Sequence, residues 1–184
     1  MENSTTHTSD FLVLGSGIAG LFFALKASEL GSVTIITKKE RAESNTNYAQ
    51  GGMAAVLTPE DSFEEHIEDT LIAGAGLCKR EAVEAIVYDA PEVVDELLKI
   101  GTKFDLKDGK LDLVREGGHS RHRIIHSADL TGKEIERSLL HALSLKGNVT
   151  LLEHHVAVEF ITEHHFKGNI TPHFKTGNPT CYGV

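Results

Sequence analysis

An α/β fold with a parallel sheet, wound in the Rossmann-like manner, is the class this sequence predicts. Three observations carry it. A short continuous apolar run, Phe11–Leu14, leads into the glycine-rich turn Gly15-Ser16-Gly17-Ile18-Ala19-Gly20. Past that turn the apolar period lengthens to helical spacing at Ile18, Leu21, Phe22 and Leu25, and a second buried run follows at Val33–Ile36. Strand, helix and strand within about 30 residues form one βαβ unit, which the right-handed crossover rule turns into a parallel pair.

Each element has its own local reason. The first strand is apolar throughout, as strands covered on both faces are. Gly31 is the expected C-cap of the helix after it. Residues 38–52 show no apolar period and read as a long loop, a kind that is usually functional in compact domains. Residues 53–57 read as a short strand. A helix is expected over 62–73, capped by Asp61 or Ser62, with Phe63, Ile67 and Leu71 on one face. A second helix is expected over 80–89, and a third from Pro91 to Gly101 carrying Val94, Leu97 and Leu98. Residues 104–114 alternate around Asp108-Gly109, a hairpin signal.

Thr131-Gly132-Lys133-Glu134 has the form of a capping box, opening a helix with Ile135, Leu139, Leu140 and Leu143 on its apolar face. Gly147-Asn148 should close that helix before a third parallel strand at Val149–Leu152. Residues 156–161 and the region after Thr171 read as two further strands.

Composition bounds the function. A length of 184 residues suffices to bury a sizeable core, about 70% of the unfolded surface. Eighteen Lys and Arg against 27 Asp and Glu leave a net charge of −9, which argues against a nucleic-acid or anionic-membrane surface. Cys78 and Cys181 stand alone, so neither a disulfide framework nor a cysteine-rich zinc site is expected. The stretch 11–25 lacks a cationic flank and is too short to span a bilayer, so the cytoplasm is the expected location.

In GxGxxG, Gly15 permits the tight turn, Gly17 admits a pyrophosphate against the backbone, and Gly20 lets helix and strand pack closely. The helix N-terminus then supplies N–H groups and a dipole to the phosphates. A dinucleotide is therefore expected. Its identity stays open, because Thr37-Lys38-Lys39 stands where a ribose-binding carboxylate is usual. Lysines there suit a 2′-phosphate or a ribose contact through the backbone and Lys38.

The segment Ser44-Asn45-Thr46-Asn47-Tyr48-Ala49-Gln50-Gly51-Gly52 combines hydroxyls, amides and paired glycines. It suits a polar heterocycle, or is an ordinary polar loop. Residues 115–126 reverse the local charge, with three arginines and three histidines against Glu116 alone. Arginine forks there point to a dicarboxylate site, with a solvated basic loop as the alternative. His119, His122 and His126 have ligand-like spacing, but no Cys or carboxylate completes a set, so no metal is expected.

Residues 15–20, 44–52, the run Glu68-Asp69-Thr70 through Cys78, and Arg115-Glu116-Gly117-Gly118-His119-Ser120 together resemble the amino-terminal part of the L-aspartate oxidase branch of the succinate dehydrogenase/fumarate reductase flavoprotein family. The resemblance implies FAD, with Ser16, Gly17, Ile18 and Ala19 at the pyrophosphate and Lys38 near the ribose. It implies Asn45, Thr46, Asn47, Tyr48, Ala49, Gln50, Gly51 and Gly52 around the flavin end, and Val156 and Ala157 at the adenine side. Asn45 stands where the membrane-complex members carry a flavin-linked histidine, so the FAD should be non-covalent.

The implied reaction is FAD-dependent oxidation of L-aspartate to iminoaspartate with oxygen or fumarate as acceptor. It is the first step of NAD biosynthesis, with handover of iminoaspartate to quinolinate synthase. Glu116 is implied to face the substrate ammonium and separate aspartate from succinate. The family's proton-accepting arginine and its other substrate-binding residues lie in a later domain. No catalytic residue is therefore expected in this chain, which should be a truncated first portion of a longer enzyme. It divides into a loose terminus, 1–9, and an FAD-binding portion, 10–184, with an insertion at about 38–130; the capping and C-terminal helical domains are expected to be absent. A succinate- or fumarate-type flavoprotein and a non-catalytic nucleotide-binding fragment remain the alternatives.

Overall fold

A computed structural model describes residues 5–162, 165 and 180–184. Two compact units share the chain: residues 1–43 with 146–184, and residues 44–145.

The first unit is built on a three-stranded parallel sheet in the order β1 (Phe11–Leu14), β2 (Val33–Ile36), β7 (Val149–Leu152). Phe11 pairs with Val33, and Val33 with Val149. Helix α1 (Ile18–Ala27) makes the crossover and buries Leu21, Ala24 and Ala27, while Val33 and Ile35 are sealed in the central strand. β1 departs from the expectation of burial on both faces: Leu12 and Leu14, which share one face of the strand, are 40% and 45% exposed, while Val13 on the other face is buried.

Ser28 rather than Gly31 caps α1, its hydroxyl donating to the Leu25 carbonyl at 2.7 Å. Gly31 serves packing instead, since a Cβ there would lie 2.7 Å from Asp10 Oδ2. That carboxylate accepts from the Ser32 N–H and hydroxyl at 2.8 and 2.7 Å. Asn148 does not close a helix either. Its side-chain amide donates to the Ser28 and Gly31 carbonyls at 2.8 Å each, tying the α1–β2 turn to the start of β7. The strand expected over 156–161 is confined to β8 (Ile161–Thr162), which pairs antiparallel with β9 (Cys181–Gly183). The expectations that fall on residues 1–4, 163–164 and 171–179 lie outside the described residues.

In the second unit the strand expected over 53–57 shortens to β3 (Met53–Ala54). It pairs antiparallel with β6 (Ile124–Ile125), a strand the sequence reading did not propose. Helix α2 (Phe63–Ala73) opens on Ser62, whose hydroxyl accepts the Glu65 N–H at 3.2 Å. Ile67 packs with Val83 and Val87, and Phe63, Leu71 and Cys78 surround them.

The two helices expected on either side of Pro91 are one, α3 (Arg80–Lys99). Val83, Val87, Val94 and Leu97 keep one helical phase across the proline and are all buried. A proline inside a helix costs about 3 kcal/mol. One continuous helix keeps all four on a single buried face, and that shared burial offsets the cost. Leu98 falls off that stripe and is 39% exposed.

The Asp108-Gly109 hairpin forms between β4 (Leu106–Lys107) and β5 (Lys110–Leu111), with φ of +52° and +77° at the two turn residues as a type I′ turn requires. The expected capping box does not form. Helix α4 (Thr131–Ser144) is preceded by Leu130; Thr131 Oγ1 accepts from Ser127 N at 3.1 Å, and Glu134 binds Lys103 N and Arg137. The chain enters α4 one residue earlier than the box needs, so Thr131 is the first helical residue instead of the cap. Leu145, not Gly147-Asn148, caps its end. Among the described residues no helix is long and apolar enough to cross a membrane.

Candidate functional site

In the first unit the glycine-rich turn sits where the βαβ unit requires it. Gly15 has φ +105°, a left-handed conformation that favours glycine, and its N–H continues the ladder to Ile36 O at 2.9 Å. A Cβ on Gly20 would collide with the Gly15 carbonyl, so the strand-to-helix approach is closed to any larger residue. Ser16 is buried, and its hydroxyl donates to Thr37 Oγ1 at 3.0 Å, which ties the turn to the end of β2. Gly17 precedes α1 with no capping side chain, no acidic residue occupies the first turn, and Ile18 and Ala19 are exposed. That arrangement accepts an anion and would repel none.

The other predicted residues of this unit gather at the same, carboxyl end of the strands, where open α/β sheets bind ligands. Lys38 is exposed just beyond β2. The His155 and His154 N–H groups donate to the Thr37 and Lys39 carbonyls at 3.0 and 3.3 Å, carrying the chain from β7 past β2 to exposed Val156 and Ala157. Arg41 forks Glu153 at 3.0 and 2.9 Å, and also donates its N–H at 2.7 Å. The Arg41 side chain, then its N–H, draw the Glu153 carboxyl down to about 2. Thr37, Arg41 and Glu153 escaped the sequence reading, because each is recognisable only from its partner.

In the second unit residues 44–52 rest on α4 and β6. The Ser44 hydroxyl donates to buried Glu136 Oε1 at 2.8 Å and accepts the Asn47 N–H at 3.3 Å. Thr46–Tyr48 make a single 3-10 turn. The Gly132 N–H donates to Ala49 O at 3.1 Å, and a Cβ on Gly132 would run into the Thr46 carbonyl. Gly52 lies against β6, where a Cβ would be 2.5 Å from the Ile125 carbonyl. Asn45, Tyr48, Ala49, Gln50 and Gly51 remain exposed on this support. Gly132 and Glu136 were missed as functional supports; a buried carboxylate on an apolar helix face is the signal that marks Glu136.

Residues 116–123 run antiparallel to α2 and are fastened to it side chain by side chain. The His119 N–H closes a turn on the Glu116 carbonyl at 3.2 Å, with Gly118 at φ +86°. The His119 ring lies 5.6 Å from that of buried His66. Ser120 donates through N and Oγ to Asp69 Oδ2 at 2.7 and 2.8 Å. Arg121 forks Glu65 at 3.0 and 2.7 Å. Arg123, fully buried, forks Asp61 and reaches Asp69 at 2.6 Å.

This corrects the reading of the arginines as a dicarboxylate site. Arg121 and Arg123 are neutralised internally, and the charge reversal seen along the sequence is cancelled by Asp61, Glu65 and Asp69. Burial raises the Asp61 carboxyl, but the Arg123 bonds and the Ser62 N–H outweigh it and hold it below the usual carboxylate range. Burial likewise raises the Asp69 carboxyl, and the Ser120 donors and Arg123 outweigh it and hold it below the usual range. Burial, then Arg123, then His119 push the His66 imidazole down.

His122 Nδ1 sits 3.2 Å from Leu113 O and His126 Nδ1 3.0 Å from Asp105. Among the described residues no group of three His, Cys, Asp or Glu side chains is placed to hold a metal. Arg115 and Glu116 are exposed and form no ion pair among the described residues. Exposed His154 and His155 bond through their backbone N–H groups, and the His155 ring Nδ1 lies 2.6 Å from Glu153 O.

Residues 10–183 match the family model described as FAD binding domain. The chain is 50% identical over its whole length to the L-aspartate oxidase of Oryza sativa subsp. japonica, a protein named chloroplastic, and covers 27% of it. It is 46% identical over 88% of its length to the L-aspartate oxidase of Yersinia pestis, covering 31% of that protein. Among solved structures, a variant of E. coli quinol fumarate reductase superposes with a TM-score of 0.83 at 28% identity, over 87% of this chain and 28% of that one. The chain thus spans about a quarter to a third of the length of these relatives. The parallel strand pair, the Gly15–Gly20 contact and a helix start with no capping side chain at Gly17 are what such a domain needs, and this chain belongs to the FAD binding domain family.

Proposed function

We propose that this chain is the FAD-binding portion of an enzyme that oxidises L-aspartate to iminoaspartate. The observation that carries the reading is 50% identity, over the whole chain, to a protein named L-aspartate oxidase. The glycine cradle, the buried Ser16–Thr37 link and the uncapped start of α1 fit the cofactor's pyrophosphate. Ser16, Gly17, Ile18 and Ala19 would hold it there, Lys38 the ribose, and Val156 and Ala157 the adenine side. Asn45, Thr46, Asn47, Tyr48, Ala49, Gln50, Gly51 and Gly52 would surround the flavin end, bound without a covalent link. When bound, FAD supplies the two-electron acceptor for the hydride leaving substrate Cα.

Glu116 is this chain's contribution to substrate choice. An exposed carboxylate at a turn, with its cationic neighbours Arg121 and Arg123 already neutralised, attracts an ammonium and repels a further carboxylate. It would thereby favour aspartate over succinate. Oxygen or fumarate would accept the electrons afterwards, and handover of iminoaspartate to quinolinate synthase in NAD biosynthesis is part of the same reading. The proposal keeps the cytoplasm as the compartment; cell fractionation separates it from an organelle such as the one the plant relatives are named for.

The test is Glu116→Gln in the intact FAD-loaded enzyme. KM for L-aspartate should rise by about tenfold or more, as loss of a charge-assisted bond implies, while KM for fumarate stays within about twofold. Equal shifts for both substrates would remove the assigned role.

A further inference from the structure

One oxygen in the second unit collects an unusual number of donors. Asp69 Oδ2 accepts from Ser120 N at 2.7 Å, Ser120 Oγ at 2.8 Å and Arg123 Nη1 at 2.6 Å. The residues that reach α2 do so in order along its axis. A Cβ built on Gly118 would touch Ala73 Cβ at 3.7 Å; Ser120 meets Asp69, Arg121 meets Glu65, and Arg123 meets Asp61. The turn that carries Glu116 closes immediately before this track, through His119 N to Glu116 O. Gly117 has open space at its Cβ position, and Gly118 has the left-handed φ, so the turn has little rigidity of its own. Its placement is therefore set by the fixed points that follow it, the His119 ring beside buried His66 and the pair of hydrogen bonds from Ser120 to Asp69.

We infer that Asp69 is a positioning residue for substrate discrimination, acting through Ser120 on the turn that presents Glu116; this rests on the reading of Glu116 given above. A carboxylate that selects an ammonium must be held to within a fraction of an ångström, because the discrimination decays with misplacement. The buried Arg123 donates to the same Asp69 oxygen, so the α2 carboxylate that receives Ser120 is itself immobilised. Asp69 touches no reacting atom in this account. Its influence travels along one hydrogen-bonded path: Arg123, Asp69, Ser120, the turn, Glu116.

The experiment compares Asp69→Asn, Ser120→Ala, Glu116→Gln and the double variant Asp69→Asn/Glu116→Gln in the intact FAD-loaded enzyme. Ser120→Ala removes one hydroxyl and keeps the backbone bond, so it reports even where Asp69→Asn folds poorly. Asp69→Asn and Ser120→Ala should each raise KM for L-aspartate, by about threefold to tenfold, with KM for fumarate within about twofold and FAD content unchanged. In the Glu116→Gln background Asp69→Asn should add nothing further, because the path it acts through has lost its end point. If Glu116→Gln discriminates between substrates and neither Asp69→Asn nor Ser120→Ala does, the positioning role is overturned and the role of Glu116 stands. Should Asp69→Asn add its full effect in the Glu116→Gln background, Asp69 is merely structural and the inference again fails. A Glu116→Gln enzyme that does not discriminate overturns the reading of Glu116 and the inference with it.

Discussion

Arg123, with no exposed surface, is forked by Asp61: Nε donates to Oδ2 at 2.8 Å and Nη2 to Oδ1 at 2.6 Å. Asp61 is also almost wholly buried. A buried pair of this kind is dangerous to halve, because removal of Arg123 leaves Asp61 buried without a countercharge, held by the Ser62 N–H alone among its strong donors.

Arg123→Ala should therefore destabilise the protein by about 3–5 kcal/mol. Arg123→Lys should recover only part of that loss, since an ammonium cannot reproduce a planar fork. Urea unfolding of the intact enzyme, followed by a probe in the second unit, measures both. A loss below about 1 kcal/mol for Arg123→Ala would show that the pair is no more than a surface ion pair in effect.

Acid should weaken the structure in two stages. His66 has its proton affinity lowered in the folded state, so below about 6.5 the unfolded chain binds more protons than the folded one. Stability from this group is thus fully present above that pH and is lost as pH falls, at no more than about 1.4 kcal/mol per pH unit. Asp61 and Asp69 have depressed carboxyl values, so their contribution persists above about 3.9 and disappears as pH drops through their folded values. Thermal midpoints between pH 8 and 5 should fall less steeply for His66→Gln than for the parent. Identical slopes would remove His66 from the account.

Two glycines should resist a single methyl group. In Gly20→Ala the new Cβ meets the Gly15 carbonyl, and in Gly132→Ala it meets the Thr46 carbonyl. Backbone must shift in each case, and FAD affinity should fall by about tenfold or more, which corresponds to overpacking strain of about 1–3 kcal/mol. Gly147→Ala, at a site with nothing within 4 Å, is the control and should bind FAD as the parent does. Fluorescence titration of the apoprotein with FAD reads all three.

Thr37→Val should leave Ser16 Oγ buried without the partner it has now at 3.0 Å. The cost of an unsatisfied buried hydroxyl is about 1–3 kcal/mol, part of it appearing as weaker FAD binding because Ser16 lies within the cradle. Ser16→Ala/Thr37→Val together should be milder than Thr37→Val alone. The same titration separates these outcomes.

The parallel sheet was legible because its signals are local: the apolar run Phe11–Leu14, the β-branched and aliphatic runs Val33–Ile36 and Val149–Leu152, and glycines at the spacing a strand-to-helix phosphate turn needs. Ser62 and Asp108-Gly109 were legible for the same reason, each being sufficient within four residues. Pro91 misled because its local cost was weighed without the single helical phase that Val83, Val87, Val94 and Leu97 keep across it. Thr131 misled because a Thr-x-x-Glu pattern fits both a cap and a helix that starts one residue earlier. The arginines of residues 115–126 were read as open to a ligand, since nothing along the chain announces that Asp61, Glu65 and Asp69, more than fifty positions before, take up two of them. Glu116 stands out in the sequence only by resemblance, and the structure adds the turn and the α2 track that hold it.

Anaerobic addition of L-aspartate to the intact FAD-loaded enzyme, followed at the flavin absorbance near about 450 nm, tests the central claim most directly. The account predicts bleaching by L-aspartate, and little or none by an equal concentration of succinate. Bleaching by succinate with none by L-aspartate would contradict it.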